Sequence, residues 1–177
     1  MRRPRRAETL RPMVNTLLEA CDIDDVPVPV EVIAHYLGAQ IRYSPFDGEL
    51  AGMLVRREGG ETVIGVNSAH HINRQRFTIA HECGHLYLHK GKDVYIDRSF
   101  RVSVSRRDER STQAIDPDEI EANRFAAELL MPCDKILDDI VELDIEDDEV
   151  LKDLADKYEV SVQALTYRIN GLLGSFI

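Results

Sequence analysis

Cysteine is scarce in this 177-residue chain. Cys21, Cys83 and Cys133 are too few and too far apart for a disulfide framework or a cysteine-based zinc knuckle. That scarcity suits a reducing compartment, and the expected location is the cytoplasm. No apolar run is long enough to span a bilayer. Arg2, Arg3, Arg5 and Arg6 surround Pro4 with no apolar core behind them, so the start does not read as a secretory signal. The expectation for residues 1–6 is a solvated, flexible tail. Basic charge is also short: 22 Lys and Arg face 32 Asp and Glu, a net charge of −10. That argues against broad binding to nucleic acid or to an anionic membrane. There is no internal repeat and no low-complexity linker. What remains, 44% hydrophobic and 31% charged residues, fits a soluble globular protein with a real core.

Against that background one stretch carries chemistry: Thr78-Ile79-Ala80-His81-Glu82-Cys83-Gly84-His85-Leu86. Residues four apart share a helix face, so His81 and His85 present two imidazoles to one metal ion. Glu82 is one step round, placed to reach a metal-bound water as a general base. A catalytic zinc keeps one position open for that water and lowers its pKa. The structural alternative is a buried helix whose histidines merely satisfy hydrogen bonds. Cys83 falls on the far side of the helix and makes a poor ligand. His89 extends the series but lies about 12 Å along the axis from His81. It reads as a partly exposed residue of the last turn.

The rest of the chain predicts an α+β fold. A helix is expected around Pro12–Ala20 and another over Val30–Leu37, stopped by Gly38. Ala39–Tyr43, Leu50–Arg57 and Glu61–Val66 read as strands, the last two joined by Glu58-Gly59-Gly60 as a hairpin. They predict a small, mostly antiparallel sheet packed on the helices. Its edge is suited to an extended peptide. Asn67–Arg74 is a polar loop with His70 and His71. The helix with the two histidines is expected over Arg74–Lys90, with Gly91 as its stop. Asp93–Gln113 is loop-like and arginine-rich, with a short strand pattern at Phe100–Val104. Asp116-Pro117-Asp118-Glu119 is a helix start, and the helix ends near Met131-Pro132. From Cys133 the chain is helical and acidic, and Leu151–Leu165 reads as two helices around a tight turn at Glu159–Ser161. That pattern is helix-turn-helix-like.

Two histidines need a third protein ligand. On the helical wheel Glu121, Asp118 and Glu128 lie at the edge of the apolar face formed by Ala122, Phe125, Ala126, Leu129 and Leu130, whereas Glu119 points away. Periodicity leaves those three open. The run from Asn73 to His85, followed by Glu121-Ala122-Asn123-Arg124-Phe125-Ala126-Ala127-Glu128-Leu129-Leu130-Met131-Pro132, resembles the ImmA/IrrE family of zinc metallopeptidases. The resemblance covers roughly Val28 to Pro132. The expected organisation is a metallopeptidase domain over 1–132 and an acidic helical subdomain over 133–177. The resemblance implies Zn²⁺ held by His81, His85 and Glu121, with Glu82 as the catalytic base; manganese or iron also suits such a ligand set. It further implies a cytoplasmic endopeptidase whose substrate and partner is a helix-turn-helix repressor of the phage type, in stress response, mobile-element control or a toxin–antitoxin-like pair. Cys83 stands where the family commonly has an aliphatic residue. Tyr95, His71 and Arg98 are candidates for a second oxyanion donor.

Two rival readings remain. In one, the zinc protein binds a repressor or antitoxin without cutting it. In the other, the C-terminal helices regulate transcription through Gln163, Thr166, Tyr167, Arg168 and Asn170. The acidic surroundings repel phosphate, so direct nucleic-acid binding is not expected.

Overall fold

The computed structural model describes residues 3–46, 50–56, 61–89 and 116–174, together with the backbone of 94–97. Helix α1 spans Ala7–Ala20 and buries Leu10, Val14, Leu17 and Leu18, one stripe at helical spacing. It begins five residues before the expected Pro12, which lies inside it. Glu8 in the first turn favours that early start by facing the positive end of the helix dipole. Helix α2 spans Val30–Tyr36. Gly38 then takes φ +81°, a left-handed conformation that any side chain would strain.

Strands β1 (Ala39–Ser44), β2 (Gly52–Arg56) and β3 (Thr62–Asn67) follow, and after helix α3 (Ile72–Leu88) comes β4 (Val94–Asp97). The sheet order is β1-β3-β2-β4. β2 runs antiparallel to both β3 and β4, while β1 is parallel to β3. The sheet is therefore mixed, although antiparallel pairs predominate as expected. The proposed hairpin residues Glu58-Gly59-Gly60 lie outside the described residues, as do the Lys90-Gly91 stop and the Phe100–Val104 strand pattern. β4 instead falls in a stretch read as loop. Asn67 is buried, donating to Leu50 O at 2.8 Å and accepting from the amides of Phe46 and Ala69. It thereby ties the β1–β2 connection to the end of β3.

Helix α4 spans Pro117–Leu130 and starts as its sequence demands: Asp116 caps it by accepting from Asp118 N, and Pro117 opens the first turn. α5 (Cys133–Ile140), α6 (Asp148–Tyr158) and α7 (Val162–Leu173) complete the chain. The tight turn between α6 and α7 holds Glu159 at φ 51° and uses Ser161 as the next N-cap. One hydrophobic cluster runs from Leu10 to Leu172 and draws on all seven described helices, with Ile145 of the acidic loop packed against it. Helix α3 lies at its centre, against α2, α4, β2 and β3.

Candidate metal centre

Helix α3 is buried on nearly every side, which is why its polar residues are held so firmly. Its entry is capped by His71, whose Nδ1 accepts from Asn73 N. Its exit is closed from the sheet: Arg56 of β2 donates to His85 O at 2.8 Å and to His89 O at 2.7 Å. A cation at that end also complements the helix dipole. Two glycines let neighbouring elements come close. A Cβ on Gly84 would lie 3.0 Å from Ala122 Cα and 3.2 Å from Ala122 O, so α3 and α4 touch backbone to backbone there. A Cβ on Gly52 would overlap Thr78 and would lie 3.7 Å from Glu82 Oε1. β2 thus runs directly over the Glu82 side of α3.

His81 and His85 are buried, and their Nε2 atoms stand 3.0 Å apart. Glu119 of α4 closes the group: one oxygen is 3.2 Å from His81 Nε2 and the other 3.3 Å from His85 Nε2. These three side chains form a group able to hold a metal ion. Donor atoms about 2.0–2.1 Å from one tetrahedral ion stand roughly 3.3 Å from each other, so the observed spacing fits a small cation. The donor set, two imidazoles and one carboxylate, suits zinc, manganese or iron. Glu119 is 40% exposed on its side chain, so the group is open towards solvent on that side. His81 Nδ1 is 2.9 Å from Asn123 Oδ1, an acceptor that fixes its ring with Nε2 towards the group.

The histidines and Glu119 shift one another's pKa. Burial, reinforced by His81 and His89, lowers the pKa of His85 although Glu119 opposes this. Burial by itself would raise Glu119, but its hydrogen bonds to His81 and His85 outweigh that and hold its carboxyl well below the usual range. Neutral imidazole and ionised carboxylate are the forms that bind metal. Cys83 is fully buried, and burial pushes its thiol far up, so it is a packing residue on the core side of α3.

Several expectations change here. The structure groups Glu119, and not Glu121, with the two histidines. Glu119 does not point away: it precedes Ala122 and Asn123 by three and four residues, on the line of α4 that docks against α3. Glu121 is fully buried and receives Arg5 N and Arg5 Nη1, each at 2.7 Å, and His89 Nε2 at 3.1 Å. Asp118 lies 3.7 Å from His89 Nε2. Glu128 is buried elsewhere, paired with Arg168 at 2.6 Å. His89 is not a partly exposed end residue but a buried one, 7% exposed, 3.1 Å from His85 Nδ1. Nor is Arg5 left in a solvated tail, since Glu121 and Arg124 both hold it. Of the suggested second donors, His71 caps α3 by accepting at Nδ1, and the side chains of Tyr95 and Arg98 lie outside the described residues. Asn123 was missed in the sequence. Its signal was its place one turn after Glu119 and on the same face.

A search of curated proteins gives no match. Among the described residues no helix is long and apolar enough to cross a membrane. Residues 34–170 match the M78 peptidase family described as the IrrE N-terminal-like domain, a span that includes every residue of the His81–His85–Glu119 group. That match covers most of the chain, and with it the chain belongs to the M78 peptidases, a family of metallopeptidase-type function.

Proposed function

We propose that this protein is a cytoplasmic zinc-dependent endopeptidase that cuts a helix-turn-helix repressor. The observation that carries the peptidase part is the meeting of His81, His85 and Glu119 from two helices, with Glu82 next to His81 in the chain. In this reading those three side chains hold the ion through two Nε2 atoms and a carboxylate. The ion, when bound, supplies Lewis acidity that acidifies water and polarises a peptide carbonyl. Glu82 takes the proton of the attacking water and delivers it to the leaving amine. Asn123 holds the His81 ring in place through Nδ1. The open side at Glu119 is where substrate enters.

The repressor substrate rests on family resemblance. A DNA-reading role for the C-terminal helices is disfavoured by Arg168, the one cation among the residues suited to it. Arg168 is turned inward onto Met131 O at 3.0 Å and the Glu128 carboxylate. The test is to measure zinc content in the purified protein and in Glu119→Ala, then to incubate each with a repressor encoded beside the gene. The expected result is one zinc per chain and repressor cleavage for the unaltered protein, and loss of both for Glu119→Ala. Absence of zinc from the well-folded unaltered protein would overturn the metallopeptidase reading. Zinc binding with an intact repressor, alongside cleavage of another peptide, would overturn the substrate.

A further inference from the structure

His85 lies at one end of a buried row of polar groups that ends at the N-terminal arm. His85 Nδ1 is 3.1 Å from His89 Nδ1, His89 Nε2 is 3.1 Å from Glu121 Oε2, and Glu121 accepts from Arg5 N and Arg5 Nη1, each at 2.7 Å. Glu121 is 0% exposed, so water is a poor substitute partner for any link. We propose that His89 and Glu121 are positioning residues of the metal centre, a relay that fixes the ring and tautomer of His85 so that its Nε2 lone pair faces Glu119 and His81. This rests on the metallopeptidase reading above and assigns Glu121 a task other than ligation.

The argument is one of donors and acceptors. Two imidazole nitrogens at hydrogen-bond distance need one proton between them. For His85 to present a lone pair at Nε2, its proton must sit on Nδ1. His89 Nδ1 then accepts, which places the His89 proton on Nε2. That proton points at Glu121, an acceptor when ionised, and Arg5 supplies the compensating positive charge and an amide. The opposite order fails at both ends. It would put a proton on His85 Nε2, inside the ligand group, and would set a bare His89 Nε2 against a carboxylate oxygen, acceptor facing acceptor. Asp118, at 3.7 Å from His89 Nε2, is too distant to replace Glu121. The ligand histidines are therefore supported differently: His81 by the Asn123 amide in one step, His85 by a histidine and a carboxylate in two.

Metal-ligating histidines rely on such outer partners, and losing one costs about ten- to a hundredfold in metal affinity. The experiment is titration with Zn²⁺ alone, in competition with a chromogenic chelator, for the unaltered protein, His89→Leu, His89→Gln, Glu121→Ala and Glu119→Ala. His89→Leu and Glu121→Ala are expected to bind about ten- to a hundredfold more weakly. His89→Gln keeps an accepting oxygen and a donating nitrogen, so it should recover most of the affinity. Glu119→Ala should lose more than any of them. In the zinc-loaded protein with ¹⁵N-labelled histidine, long-range ¹H–¹⁵N spectra should show His89 protonated at Nε2. Unchanged affinity in His89→Leu, a Gln variant no better than Leu, or His89 protonated at Nδ1 would overturn the relay while leaving the peptidase reading standing. A loss in Glu121→Ala as large as or larger than in Glu119→Ala would make Glu121 a ligand and also overturn it. No zinc binding by the unaltered protein would instead remove the reading on which the relay rests.

Discussion

Glu82 and Glu119 are two carboxylates with different surroundings. Glu119 is partly exposed and kept ionised by two imidazoles. Glu82 is fully buried on the side of α3 that faces Gly52 of β2. The proposed roles follow: Glu119 holds an ion, and Glu82 handles a proton. Glu82→Gln keeps the size and removes the basicity. It is expected to retain zinc at the unaltered stoichiometry while peptide cleavage falls by at least about 10²-fold, the lower end of general-base catalysis. Zinc analysis with a cleavage assay decides, and a Gln variant of normal activity would remove Glu82 from that role. His81, Glu82 and His85 were legible in the sequence because their spacing is fixed by a single helix. Glu119 was not, because its place depends on which line of α4 docks against α3. An acid in the first turn of a helix also has an ordinary explanation in the helix dipole. Glu121 was legible as lying beside the apolar face, but its partners Arg5 and His89 are 116 and 32 residues away in the chain.

At the scale of elements, the centre depends on how closely α3 and α4 approach. Gly84 sets that distance, because an added methyl would press on the backbone of Ala122 and on the Phe125 ring. Gly84→Ala joins two opposed effects. Replacing a mid-helix glycine gains about 1 kcal/mol, while overpacking costs about 1–3 kcal/mol. Denaturant unfolding should therefore show a net loss of no more than about 2 kcal/mol. Zinc affinity should suffer more visibly, because pushing α4 outward carries Glu119 and Asn123 away from the histidines. A fall of about tenfold is expected, the scale of losing one orienting contact. Unchanged zinc affinity would show that α4 tolerates the shift without moving its ligand. The helix boundaries that were legible are those with local chemistry: Asp116-Pro117 at the start of α4, Gly38 after α2, Ser161 before α7. The parallel pairing of β1 with β3 was not, since neighbouring residues carry no record of which strand lies between two others.

At the scale of the whole molecule, distant parts of the described chain are fastened to the scaffold of the centre. Arg5 reaches Glu121 and Arg124, Arg76 of α3 pairs with Glu159 at 3.1 Å, and Arg168 of α7 binds Glu128 and Met131 O. Most acids of the C-terminal segment are exposed. The exception lies where α6 packs on α5. Tyr158 is fully buried and donates to Asp139 at 2.7 Å, with Lys157 on the same carboxylate at 2.6 Å. Burial first, and then Asp139, raise the Tyr158 phenol well above its ordinary value of 10.0. A raised pKa in the folded state gives stability that is complete below the unfolded value and is lost as pH climbs past it, because the unfolded chain then sheds a proton that the folded chain keeps. Stability should thus decline above pH 10, by up to about 1.4 kcal/mol per unit from this group. Tyr158→Phe lacks that proton and its hydrogen bond. It should be less stable than the unaltered protein at pH 8, by about 1 kcal/mol, with the gap narrowing as pH rises beyond 10. Urea unfolding of the two proteins at pH 8, 10 and 11 makes the comparison, and a gap that stays constant or widens would show that Tyr158 is not the group that titrates.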